Sequence, residues 1–140
     1  MAERRWVDER WREIAEGLVE REPRLAHVAG SEARIAYLSS DAEKKSRGRP
    51  VYGTCEKVPA KWQWSRPYDF AITVFEPNVA GLDERRLERL IYHELLHIGI
   101  DLDGEGRERY SVVPHDVEDF REMVERFGVD WILEEADADS

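Results

Sequence analysis

Apolar positions along the chain follow two rhythms, one helical and one alternating. Val7, Trp11, Ile14 and Leu18 recur at helical spacing, which predicts a peripheral helix over residues 3–21 with Trp6 and Trp11 in the core rather than on a ligand platform. Pro23 ends it, because the preceding Glu22 is pushed out of the helical region. Residues 33–40, "ARIAYLSS", alternate as a short strand with Ile35 and Tyr37 on one face. "DAEKKSRGRP" reads as a polar loop with a flexible tip, and "VYGTCEKVP" as a second strand, weakened by Gly53 and ended by Pro59. "AKWQWSRP" alternates Trp62 and Trp64 between Lys61 and Arg66. The strongest strand is "YDFAITVFE", with Phe70, Ile72 and Val74 on one face and Thr73 and Phe75 on the other.

After a turn through "NVAG", the pattern returns to a helical period. Asp83 is the N-cap expected for a long helix running to about Ile98, with Gly99 as its C-terminal stop. A glycine-containing acidic loop, "DLDGEGRERYSVVP", follows. A last helix begins near Asp116 with the apolar stripe Val117, Phe120, Val124 and Phe127, ending at Gly128. The elements predict an α+β fold: an N-terminal helix, a small sheet of about three strands, a central helix and a C-terminal helix. They form one domain over residues 1–130, with an acidic, disordered tail over 131–140.

Composition narrows the function classes. The chain has 140 residues, with 31 acidic against 21 basic side chains and a formal net charge of -10. That balance repels nucleic acid on average and argues against a phosphate-binding role, although a local basic patch is compatible with it. A single cysteine, Cys55, rules out an intrachain disulfide and a cysteine-rich zinc ribbon. No window approaches the ~20 apolar residues of a membrane helix. The charged N-terminus lacks the apolar core of a signal peptide, so the expectation is a cytoplasmic protein without membrane or nucleic-acid partners.

The chemistry concentrates in "HELLH". His93 and His97 stand one turn apart on the same helix face, where Cβ atoms lie about 5–6 Å from each other and two imidazoles can converge on one ion. Glu94 follows the first histidine. The pattern His-Glu-x-x-His is that of zincin metallopeptidases, in which the histidines hold Zn²⁺ and the glutamate is general base. The alternative is a pair of core histidines with an incidental glutamate, but two imidazoles on one buried face would need several polar partners.

Three residues compete as third ligand. His115, the only histidine downstream, is held between Pro114 and the start of the last helix. Glu118 is three residues further on and serves either as a carboxylate ligand or as an outer partner orienting an imidazole. Asp103 lies six residues after His97, the spacing of a metzincin-type extension, although position 100 is Ile and the glycine is at 99. His115 is preferred. Tyr110 is a candidate for oxyanion stabilisation, with a packed aromatic as the alternative.

With "YHELLHI" and "HDVEDF" in place, the chain resembles the phage-type metallopeptidase domain and, more distantly, the SprT-like proteases. The resemblance covers about residues 33–128 and implies a zincin-like fold, His93, His97 and His115 as ligands of one Zn²⁺, Glu94 as catalytic acid/base, and a peptide or protein substrate. Zincin folds also set an edge strand beside the active-site helix to align peptide. Unlike many SprT-like proteases, this chain carries no zinc ribbon. The reading from another class is a catalytically inactive, zinc-stabilised binding or accessory protein of phage or mobile-element type. Such a site would favour four protein ligands and has no need of Glu94.

Overall fold

The computed structural model describes residues 2–59 and 67–114. Their centre is a mixed sheet in the order β1-β2-β6-β5, formed by β1 (Arg5–Val7), β2 (Ile35–Ser40), β5 (Gly53–Lys57) and β6 (Phe70–Phe75). β2 and β6 run parallel, while β1 and β5 pair antiparallel on the outer sides. The sheet thus has four strands where about three were expected. The additional strand is β1, which the sequence pattern had absorbed into the first helix.

That helix, α1 (Glu9–Arg21), starts later than its periodicity suggests because Asp8 is its N-cap: the Asp8 carboxylate accepts from the Arg10 backbone N–H at 3.1 Å. Val7 therefore lies in β1 and is exposed rather than on the apolar helix face. Trp11, Ala15 and Leu18 bury against the sheet. Trp11 Nε1–H donates to Ser39 Oγ (2.8 Å), whose hydroxyl donates to Asp8 Oδ2 (2.7 Å), so the buried indole is satisfied. Trp6 is only half-buried, with Arg4 over its ring. Pro23 stops α1 as expected, with Glu22 extended at φ -96°, ψ 116°. A 3₁₀ turn (Pro23–Leu25) and the short α2 (Ala26–Ala29) return the chain to β2.

The stretch expected to be a plain loop after β2 contains a hairpin, β3 (Lys45–Ser46) with β4 (Arg49–Pro50). Its two-residue connection is Arg47 at φ 55° and Gly48 at φ 78°, the positive φ pair a type I′ turn requires. Trp62 and Trp64 lie outside the described residues. β6 is buried on both faces: Phe70, Ile72 and Val74 join the core under the helices, and Thr73 and Phe75 are sealed on the other side. A one-turn helix, α3 (Glu76–Val79), then leads to α4 (Glu84–Leu95), capped by the Asp83 carboxylate on Arg86 N–H at 2.9 Å. α1 and α4 pack together against one face of the sheet, closing the core with Leu90, Ile91 and Leu95.

α4 ends at Leu95, three residues before the expected boundary. Ile98 and Ile100 instead open β7 (Ile98–Leu102), which pairs with β8 (Glu108–Val112) in a second hairpin. Gly99 is consequently not a helix stop. A Cβ there would lie 2.5 Å from Ser111 Oγ and 2.9 Å from Val113 Cγ2, so it is glycine because the facing strand comes too close for a side chain. The last helix, His115, Glu118 and the acidic tail lie outside the described residues. Among those described, no helix is long and apolar enough to cross a membrane.

Candidate metal-binding and catalytic site

The site forms where the C-terminal turn of α4 passes the sheet edge. Leu90, Ile91, Tyr92 and Leu95 point into protein, which leaves His93 and His97 half-buried at its margin. The chain leaves the helix after Leu95, yet a tight turn, His97 N–H to Glu94 O at 3.1 Å, keeps the two imidazoles adjacent. Their centroids are 5.0 Å apart and the rings are nearly perpendicular at 84°.

A short clip fixes His97. Its backbone carbonyl accepts from Val113 N–H at 2.7 Å, and its Nδ1 lies 2.6 Å from the Val113 carbonyl. A carbonyl can only accept, so Nδ1–H is the donor, and in the neutral ring this leaves the lone pair on Nε2. A histidine ligating through Nε2 is oriented in this way. One residue on, the Ile98 carbonyl lies 2.9 Å from His27 Nε2, which ties α2 to the start of β7.

Glu94 faces the other way, toward β5, and is 5% exposed. Position 53 beside it is glycine: an added Cβ would make ordinary contacts with Glu94 Cγ and Oε2 at 3.5 Å, and a tight one, 3.1 Å, with the Thr73 carbonyl. Gly53, which looked like a weakness in a strand, sits where β5 passes close to the Thr73 carbonyl of β6, with Glu94 in contact on its helix-facing side. An isolated strand glycine signals close backbone approach, so this role was readable in principle. Cys55, two residues along, is half-buried and joins the core. Burial pushes its thiol up to about 12, with the Glu94 and Glu56 charges adding to the rise, so it is not a nucleophile at neutral pH.

β5 is the edge strand of this sheet, not the stronger β6. Phe75 N–H donates to Tyr52 O and Val58 N–H to Asp69 O, both at 2.9 Å. Backbone groups at 52, 54, 56 and 58 therefore turn toward β6. By alternation, those of Gly53, Cys55 and Lys57 turn to the outer side.

The remaining candidates separate. Asp103 sits at the far end of the β7–β8 hairpin, where its carboxylate accepts from the backbone N–H groups of Glu105 (2.8 Å) and Arg107 (2.9 Å). Among the described residues, no group of three His, Cys, Asp or Glu side chains is placed to hold a metal ion, so Asp103 does not join the histidine pair. Tyr110, expected in a loop, is in β8. Its ring packs edge-on to Phe70 at 5.5 Å and its hydroxyl donates to Glu108 at 2.5 Å, the packed-aromatic alternative. His115 and Glu118 fall outside the described residues.

A family model described as "Putative phage metallopeptidase" matches residues 5–138. In comparisons with curated proteins and with solved structures, no match reached significance.

Proposed function

The chain belongs to the phage metallopeptidase family, and from that premise we propose that it is a zinc-dependent peptidase in which Glu94 is the general base. The observation that carries this reading is Glu94, buried between the two adjacent histidines in the helix sequence, with its side chain against Gly53 of an edge strand. Burying a carboxylate is costly, and a buried ionisable group in such company is a mark of chemistry rather than of packing.

His93 and His97 are the two helix ligands, and the donor set suits zinc: imidazole nitrogens, one already oriented by a carbonyl. The clip at Val113 also supports His115 as the third ligand. The β7–β8 hairpin returns the chain to His97, and His115 follows only two residues later, a span of at most about 7 Å. When bound, zinc supplies a water of pKa about 7 and polarises the scissile carbonyl.

Glu94 then takes a proton from the attacking water. The water oxygen ends on the carbonyl carbon, the C–N bond breaks, and Glu94 hands the proton to the leaving nitrogen. An extended peptide can pair with the outward backbone groups of Gly53, Cys55 and Lys57, which aligns its carbonyl beside Glu94. Glu94→Gln tests the assignment. It should retain one zinc per chain while cleavage falls on the order of 10²–10⁴-fold. Cleavage at the wild-type rate by the zinc-loaded variant would contradict the mechanism.

A further inference from the structure

Within a chain of net charge -10, one segment is densely cationic. Between positions 44 and 49, Lys44, Lys45, Arg47 and Arg49 stand without an acidic residue among them, and all six positions are exposed. This run is the β3–β4 hairpin, whose second strand leads directly into β5.

The hairpin is built rather than loose. Asn78 Nδ2 donates to the carbonyls of Lys44 (2.8 Å) and Val51 (2.7 Å), and Val51 N–H closes on Lys44 O at 3.0 Å. Lys44 Nζ lies 5.4 Å from the centre of the Phe75 ring. At the tip, Arg47 holds a left-handed backbone where Asn or Gly is the favoured residue. The chain keeps a guanidinium there against its conformational preference.

The position of the hairpin gives the run a use. Tyr52 turns its carbonyl to Phe75 of β6, and Gly53, the first residue of β5, turns its backbone to the outer side. β3 meets the chain at Val51, two residues before the edge strand β5 begins at Gly53, beside Glu94. A peptide paired along Gly53–Lys57 runs at that end into the cationic hairpin. Four residues of extended chain separate Gly53 from Arg49, about 13 Å.

We propose that the β3–β4 hairpin selects substrate: the peptidase prefers peptides with Asp or Glu within about four residues of the scissile bond, on the side that meets Lys45 and Arg47. This rests on the peptidase reading above and names the substrate class of that site. The local field of the hairpin attracts such peptides to that end of the strand. A nucleic-acid backbone is the other polyanion such a hairpin attracts. A net charge of -10 and the continuity of the hairpin with the edge strand favour the peptide.

The test uses the full chain loaded with zinc, a tryptic peptide library, and mass-spectrometric sequencing of cut sites. Wild type is compared with Glu94→Gln and with Lys45→Gln/Arg47→Asn. Asparagine suits the left-handed tip, so the double variant keeps the hairpin while removing two charges. The proposal expects Glu94-dependent cuts with Asp and Glu enriched about fivefold on one side at low salt. It also expects the double variant to lose that enrichment while retaining zinc and cleavage of neutral peptides. Glu94-dependent cuts without acidic enrichment, or with enrichment unchanged in the double variant, overturn the proposal and leave the peptidase reading intact. Absence of any Glu94-dependent cut overturns that reading and the proposal together. Salt-sensitive binding of a 20-base-pair DNA duplex that depends on Lys45 and Arg47, without acidic enrichment at cut sites, assigns the hairpin to nucleic acid and overturns the proposal.

Discussion

Gly53 offers a way to move the carboxylate proposed as general base without touching it. In Gly53→Ala, the new methyl lies 3.5 Å from Glu94 Oε2, an ordinary contact, and 3.1 Å from the Thr73 carbonyl, which is tight against backbone. The strand must give by a few tenths of an ångström. That strain is offset by the entropy the unfolded chain loses when glycine becomes alanine, about 0.4–1 kcal/mol. The alanine variant should therefore unfold within about 1 kcal/mol of wild type. Gly53→Val differs, because its branched methyls extend toward the volume Glu94 now fills. Displacing a general base by about 1 Å costs on the order of 10²-fold in rate, equivalent to about 2.7 kcal/mol of barrier. The assay is steady-state cleavage of a library-derived peptide, alongside zinc content and a thermal melt. The account expects kcat close to wild type in Gly53→Ala and a marked fall in Gly53→Val, while zinc stays near one per chain. Full activity in a folded, zinc-loaded Gly53→Val would refute the dependence of Glu94 on this glycine.

Three further outcomes follow from other parts of the molecule. The Arg10 guanidinium, with Ser39 and the Arg10 backbone N–H, holds the buried Asp8 carboxyl down at about 2 from its ordinary 3.8. Its stabilisation, about 2 kcal/mol, is fully present above pH 4 and is lost as pH falls through 2; urea unfolding between pH 2 and 6 should show this step, and Asp8→Asn should flatten it. Gly99→Ala forces a methyl against Ser111 and Val113, so it should destabilise by about 1–3 kcal/mol and weaken zinc retention through the His97 clip. An unchanged melting temperature and zinc dissociation rate would contradict the close hairpin approach. Trp11→Phe leaves Ser39 without its indole donor and should cost about 1–3 kcal/mol in denaturant unfolding, more than a surface tryptophan would.

The features legible in the sequence were those with strong local causes. Asp83 announced the start of α4, Pro23 the end of α1, and the apolar alternation of β6 its burial. The histidine pair and Glu94 were read from spacing; the structure sets the two imidazoles 5.0 Å apart and turns Glu94 toward β5. What escaped was set by tertiary pairing. β1 is three residues long and sits among charges, so only its partner β2 makes it a strand. β7 and β8 bury little, and Asp101, Glu108 and Arg109 hide their alternation, so the hairpin read as a loop. Gly99 looked like a helix cap because nothing local signals Ser111 across the hairpin. The edge strand beside the site is likewise a matter of sheet order: β6 has the stronger pattern because it is central, and β5 the weaker because it is the edge.

The central claim is a three-histidine zinc site, and the most direct measurement is zinc per chain after purification without chelating resin, for wild type beside His115→Ala. The account predicts close to one zinc in wild type and a marked loss in the variant, with both proteins folded. Wild type that folds without metal and takes up none when zinc is added would leave His93 and His97 as packed histidines at the helix margin and contradict the claim.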